Sequence, residues 1–199
     1  LSISFEELIM LSANFRSLTS SSVQVRILAI VLFAALTALT ARITLALPFT
    51  PVPITLQVLA VLLAGLTLGA KDGAASQALY LAAIVMGFPL DAGGFGAAVW
   101  LKPTAGYLVG FVPGAFVTGY LVEQGLGRSR ALRLVAGLVG VAIIYLFGAG
   151  WLVLGFLGGN WAQGWAQGVV PFIGVDLAKA VIASGVAESA RVGLKRRKP

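Results

Sequence analysis

Two charges interrupt an otherwise apolar run near the C-terminal end of the chain. Asp176 and Lys179 stand three residues apart within the apolar stretch 168–190. A charged side chain at the centre of a membrane helix costs about 2.5–3.5 kcal/mol, so such a pair asks for a reason. Spacing of i, i+3 puts both groups on one helix face, where they can pair, cancel net charge and keep polar atoms available. Two readings stay open. In one, Asp176 caps a helix that begins near Val175, and Lys179 merely neutralises it. In the other, the pair faces a ligand cavity, the aspartate accepting N–H bonds and the lysine donating to an oxygen. A proton relay would want more titratable partners.

Three further polar groups could act beside it. Lys102 follows Trp100 and precedes Pro103-Thr104-Ala105-Gly106-Tyr107. It either holds an anionic group under a lid or is a solvated, snorkelling lysine. Arg42 lies within snorkelling reach of the interface. Gln57, early in an apolar run, serves either as interhelical glue or as a ligand contact. The inventory excludes much else. With 0 Cys and 0 His, there is no thiol chemistry, no disulfide scaffold, no His-based acid–base relay and no Cys or His metal site. No G-x-x-x-x-G-K-[ST], H-E-x-x-H or G-x-S-x-G occurs, so the chain carries neither a P-loop nor a recognisable nucleophile–base set. Ser184 and Lys179 find no support as a dyad. The chain reads as a non-enzyme without a resident cofactor.

The elements that must position these groups are membrane helices. Of 199 residues, 59% are hydrophobic and 11% charged, whereas a soluble domain carries about 25% charged residues. Six apolar segments are expected, at 27–47, 54–70, 74–88, 105–122, 134–157 and 168–190. Pro171 and Gly174 interrupt the start of the last one, so its regular helix is expected from near Val175. The fold class is therefore an all-α integral membrane protein, a six-transmembrane-helix bundle. Residues 1–26 read as a cytoplasmic leader, 27–190 as the transmembrane domain and 191–199 as a basic cytoplasmic tail.

Net charge is +7, and in so apolar a chain it sets orientation rather than binding nucleic acid. With the N-terminus inside, inner segments hold Arg16, Arg26, Lys71, Arg128, Arg130, Arg133, Arg191, Lys195, Arg196, Arg197 and Lys198, while the outer connections hold only Lys102. Both termini are expected to be cytoplasmic, in a multi-pass protein of the cell membrane surrounded by lipid. The outer connections at 48–53, 89–104 and 158–167 are too apolar for solvated loops and are expected to fold back over the bundle. Trp161 and Trp165 read alternatively as interfacial belt residues. Small-xxx-small pairs such as Gly65/Gly69, Gly106/Gly110, Gly110/Gly114 and Ala34/Ala38 suit close helix packing. With 25 Gly and 31 Ala in the chain, no one of them is distinctive.

Pro51-Val52-Pro53-Ile54-Thr55-Leu56-Gln57, then Leu62-Leu63-Ala64-Gly65 and Leu68-Gly69, resemble the opening of the BioY family. These are biotin-specific substrate-binding (S) components of energy-coupling-factor (ECF) transporters. The resemblance continues through Gly87-Phe88-Pro89, Ala92-Gly93-Gly94 and Pro103-Thr104-Ala105-Gly106-Tyr107-Leu108, and closes with Phe172-Ile173, Asp176-Leu177 and Lys179-Ala180-Val181. Ala34-x-x-x-Ala38 is similar to the motif by which such subunits dock on the transmembrane coupling subunit.

The resemblance implies six helices, both termini inside and a cavity near the outer face closed by the first outer loop. It implies biotin as the transported ligand, with a coupling subunit and two ATP-binding subunits as partners. Asp176 and Lys179 would meet the ureido ring, Gln57 and Gly94 would adjoin the ligand, and Phe49, Trp100 and Tyr107 would wall the thiophane ring and valerate chain. Where relatives carry Asn after the Gly-Gly and Arg after the Tyr, this chain has Phe95 and Leu108, and Lys102 begins a stretch that elsewhere starts with Gly. Lys102 is therefore expected to take the ligand carboxylate. Two alternatives stand beside this reading. One is a solitary or homo-oligomeric BioY-type transporter. The other is a structural or assembly subunit of a membrane complex, with Asp176–Lys179 as an interhelical ion pair, no ligand and no lid.

Overall fold

The computed structural model describes residues 23–196, with side chains up to Arg191. Residues 1–22 of the expected leader, and the tail's side chains beyond Arg191, lie outside the described residues. The helices are α1 Val23–Ala41, α2 Gln57–Leu68, α3 Ala70–Val85, α4 Ala105–Leu121, α5 Arg130–Phe156, α6 Trp161–Gly168 and α7 Ile173–Arg196. Two short strands, β1 Thr44–Leu45 and β2 Ile54–Thr55, pair antiparallel between α1 and α2. By length and composition, four helical stretches suit a membrane crossing: Val23–Ala41, Ala105–Leu126, Arg130–Phe156 and Trp161–Arg191. Gln57–Leu68 is a shorter apolar helix, and most of its residues are buried, as expected of a helix apolar all round.

Local chemistry explains where these elements begin. The Ser129 side chain accepts the Leu132 N–H to open α5, and Asn160 accepts from Gln163 to open α6. α3 starts at Ala70, earlier than the expected 74, because the chain reverses at Gly69 alone, whose φ is 88°. Lys71 and Asp72 therefore sit in its first turn. There Asp72 suits the positive helix end and accepts two bonds from Arg26, at 2.7 and 3.0 Å. α7 starts at Ile173, two residues before the expected Val175. Pro171 occupies a preceding 3₁₀ turn, Val170–Phe172, where its missing N–H is not needed, and Gly174 is absorbed into the helix.

Glycines let the bundle close. A Cβ on Gly110 would lie 3.0 Å from the Ile144 Cα, one on Gly114 2.8 Å from Ile144 Cγ1, and one on Gly106 would run into Trp151. The small-residue spacing on α4 is thus its contact with α5. Gly65 meets α4 at Ala115 and Thr118. On α1, of the pair expected to dock a partner, Ala34 is buried in the core and Ala38 is packed half-buried against it. The open face of α1 carries Ile27, Val31 and Leu39. Between Ala34 and Ala38, Thr37 is buried and bonds Gln77 of α3, at 3.2 Å.

The two ends of the bundle differ. One holds the Arg26–Asp72 pair, the Arg133–Glu188 pair, and Arg191 bonded to Glu188 and to the Arg128 carbonyl. At the other, the N-terminal ends of α2, α4 and α7 converge beneath the β1–β2 hairpin.

Candidate ligand-binding site

Asp176 lies in the first turn of α7 and Lys179 one turn on, 3% and 4% exposed respectively. Lys179 Nζ donates to Asp176 Oδ1 at 2.6 Å. Across the helix interface, Tyr145 of α5 donates its hydroxyl to Asp176 Oδ2 at 2.7 Å. The carboxylate therefore has a donor on each oxygen and stands at the positive end of its helix. The group faces a cavity of about 440 Å³ lined by Val58, Tyr107, Leu108, Phe111, Ile144 and Phe172 among others. Small-molecule sites span roughly 300–1,000 Å³ and are mostly apolar with a few placed polar groups. This one fits that description.

The walls are tied in place by side-chain hydrogen bonds. Gln57, the first residue of α2, lines the cavity and donates Nε2 to the Tyr80 hydroxyl at 2.7 Å, so it is interhelical glue and cavity wall at once. Tyr80 in turn donates to the Leu90 carbonyl at 3.2 Å. Overhead, the loop between β1 and β2 carries three prolines and reaches across the cavity. Thr50 Oγ1 donates to the Gln167 carbonyl at 2.8 Å, and the Tyr107 hydroxyl donates to the Gly168 carbonyl at 2.6 Å. Consecutive carbonyls at the end of α6, which an isolated helix end leaves unsatisfied, thereby anchor the roof and one wall. The exposed indoles of Trp161 and Trp165 point away from the cavity.

The rim is built around Asp91, which is 2% exposed and accepts N–H bonds from Gly93 at 3.0 Å and Gly96 at 2.8 Å. That turn presents Phe95, and Lys102 Nζ sits 4.7 Å from the centre of its ring in a cation–π contact. The Lys102 backbone is held by Trp151, whose Nε1 donates to its carbonyl at 3.1 Å. Arg42 bonds the Pro89 carbonyl and braces the same loop from outside.

Of the residues singled out in the sequence, Asp176, Lys179, Lys102, Tyr107, Gln57 and Phe95 all line this one cavity. Phe49, Trp100 and Gly94 do not. Phe49 is 60% exposed at the hairpin tip, where its neighbour Thr50 turns inward instead. Trp100 belongs to a 3₁₀ turn, Gly96–Leu101. Val99 and Lys102 face the cavity, while Trp100 packs half-buried against the core cluster beside it. Gly94 has φ 69° and faces Arg42; Gly93 lines the cavity in its place. Sequence reasoning missed Tyr145 and Asp91. A lone tyrosine in a long apolar helix carries no signal of its partner. Asp91 lies two residues from a Gly-Gly pair, an Asx-turn signature that could have found it.

Residues 13–196 match the BioY family. A Rhizobium etli protein described as biotin transporter BioY is 38% identical over 157 residues, covering 75% of this chain and 83% of its own length. A Thermotoga maritima protein of the same description is 41% identical over 144 residues, covering 72% and 83%. Among solved structures, the S-component for biotin from an ECF-type ABC transporter superposes with a TM-score of 0.76 at 26% identity, covering 87% of this chain and 92% of that one. With the match extending from before α1 to the end of α7, the chain belongs to the BioY family.

Proposed function

We propose that this protein takes up biotin across the cytoplasmic membrane as the ligand-capturing subunit of an ATP-driven ECF transporter. The observation that carries this reading is the buried Asp176–Lys179 pair facing a largely apolar cavity in a BioY-family chain. The ureido ring offers N–H donors and a carbonyl acceptor, which complement the carboxylate and the ammonium. The thiophane ring and valerate chain suit the apolar walls around Tyr107, Leu108, Phe111 and Phe172. Lys102 leaves the Phe95 ring to meet the valerate carboxylate at the rim. The structural-subunit alternative predicts neither a ligand nor a lid; the roofed cavity favours the capture reading.

In this reading six helices cross the membrane, α2 and α3 doing so as a tightly joined pair. The arginine-rich end is cytoplasmic, by the excess of basic residues there, and the cavity opens outward. Capture alone cannot concentrate a solute, so a transmembrane coupling subunit and two ATP-binding subunits drive alternating exposure of the one site.

Equilibrium binding of biotin to the detergent-purified chain tests the capture step. Asp176→Asn and Lys179→Ala are each expected to weaken one-to-one binding at least tenfold, which is about 1.4 kcal/mol. A well-folded wild type without detectable binding would sink the reading. Lys102→Ala affinity within twofold of wild type would remove Lys102 from its role.

A further inference from the structure

We infer that Tyr145 is a positioning residue that sets the hydrogen-bonding direction of the site, and so decides which way round a ligand head group is accepted. The inference rests on the biotin reading and names the determinant of specificity within the same cavity.

Two short hydrogen bonds define the geometry. Asp176 Oδ1 receives Lys179 Nζ at 2.6 Å, and Oδ2 receives the Tyr145 hydroxyl at 2.7 Å. Asp176 and Lys179 are almost fully buried, and all three residues line the cavity. Two donors on opposite oxygens fix the plane of the carboxylate, which a single ammonium contact would leave free to turn about χ2. Each carboxylate oxygen accepts two hydrogen bonds, so each keeps one acceptor position for a ligand. The tyrosine has committed its only proton to Oδ2. What it still offers is the lone pairs of its own oxygen, an acceptor beside an acceptor. Lys179 has three N–H donors and spends one on Oδ1.

The polar floor is therefore sided. Tyr145 Oη and Asp176 Oδ2 form an acceptor edge, and the remaining Lys179 protons form a donor edge. A ureido head group, with an N–H on each side of its C=O, satisfies both edges only with its C=O toward Lys179 and one N–H toward Tyr145, and the ring and chain held by the apolar walls decide which N–H that is. Turning the C=O toward Tyr145 and Asp176 would set carbonyl against carboxylate and leave buried polar groups unpaired, the arrangement that sites discriminate against most strongly. Tyr145 belongs to α5 and the other two residues to α7, so the packing of those helices also registers the two edges against each other.

The test compares Tyr145→Phe with wild type, using biotin and its two ureido N-methyl isomers, each of which lacks one N–H. Tyr145→Phe removes one oxygen and keeps the ring, and its folding is checked by thermal unfolding. Wild type is expected to bind biotin, and to bind one methyl isomer at least tenfold more weakly than the other. Tyr145→Phe is expected to weaken biotin about tenfold and to shrink the preference between the isomers to threefold or less. A merely structural tyrosine would weaken all three ligands in parallel and leave the preference intact, which would overturn the proposal. Equal affinity of wild type for the two isomers would overturn it as well, and needs no variant. Wild type that binds no biotin at all would bring down the functional reading itself, a distinct outcome.

Discussion

A carboxylate does two kinds of work in this protein, and its surroundings decide which. Asp176 keeps an acceptor position on each oxygen turned toward a cavity, beside a lysine with protons to spare. Asp91, equally buried and also lining the cavity, gives one acceptor position on each oxygen to the backbone, to the N–H groups of Gly93 and Gly96. It holds the rim in shape, and with it Phe95 and the lysine resting on that ring. Leaving buried N–H groups unmatched costs about 1–3 kcal/mol each. Asp91→Ala is therefore expected to lower the unfolding temperature and weaken biotin binding at least fivefold, by releasing Lys102 from its position. Calorimetry and equilibrium binding on the same preparation check both. A variant with wild-type affinity would show that the rim turn does not act on binding through Lys102. The Asp176–Lys179 pair was legible because a charge inside a membrane helix is costly and the i, i+3 spacing has one geometry. That Phe49 and Trp100 lie off the cavity lining was not legible for the opposite reason: aromatic residues in turns have no periodicity that tells inside from outside.

At the scale of elements, the site depends on how closely α4 and α5 approach. Tyr107 reaches the Gly168 carbonyl because its ring lies against Gly148, where a Cβ would collide with it. Gly148→Ala is thus expected to push Tyr107 off that carbonyl and shift the wall beside Asp176. The expected result is biotin affinity lowered at least tenfold, with a fall in unfolding temperature, since overpacking a close contact costs about 1–3 kcal/mol. Gly150→Ala, on the same helix with nothing within 4 Å of its missing Cβ, is the matched control and is expected to leave both unchanged. The apolar segments themselves were readable from composition, and the Gly106/Gly110/Gly114 spacing correctly suggested close packing. Composition does not say against what such spacing packs: at Ala34/Ala38 the chain's own core takes Ala34, with Ala38 half-buried beside it. The helix α6 also escaped, because WAQGWAQG is short, holds two glycines and reads as a loop until Asn160 is seen capping it.

For the whole molecule, the opposed ends define a direction. The cavity, the hairpin roof and the Trp-bearing α6 gather at one end; Arg128, Arg130, Arg133 and Arg191 gather at the other. Arg133, nearly buried, is matched there by Glu188, and Glu188 also serves Arg191. The concentration of arginine at this end predicts its retention on the cytoplasmic side. The absence of cysteine from the sequence makes the direction directly measurable, since any introduced thiol is the only one present. Gln163→Cys, on the exposed surface of α6, is expected to react with a membrane-impermeant maleimide added to intact cells. Gln124→Cys, in the turn between α4 and α5, is expected to react only after the membrane is opened. Both positions are non-core, so both variants should bind biotin as wild type does. The reverse labelling pattern would place the cavity on the cytoplasmic side, and a chain oriented that way could not capture biotin from outside whatever its affinity.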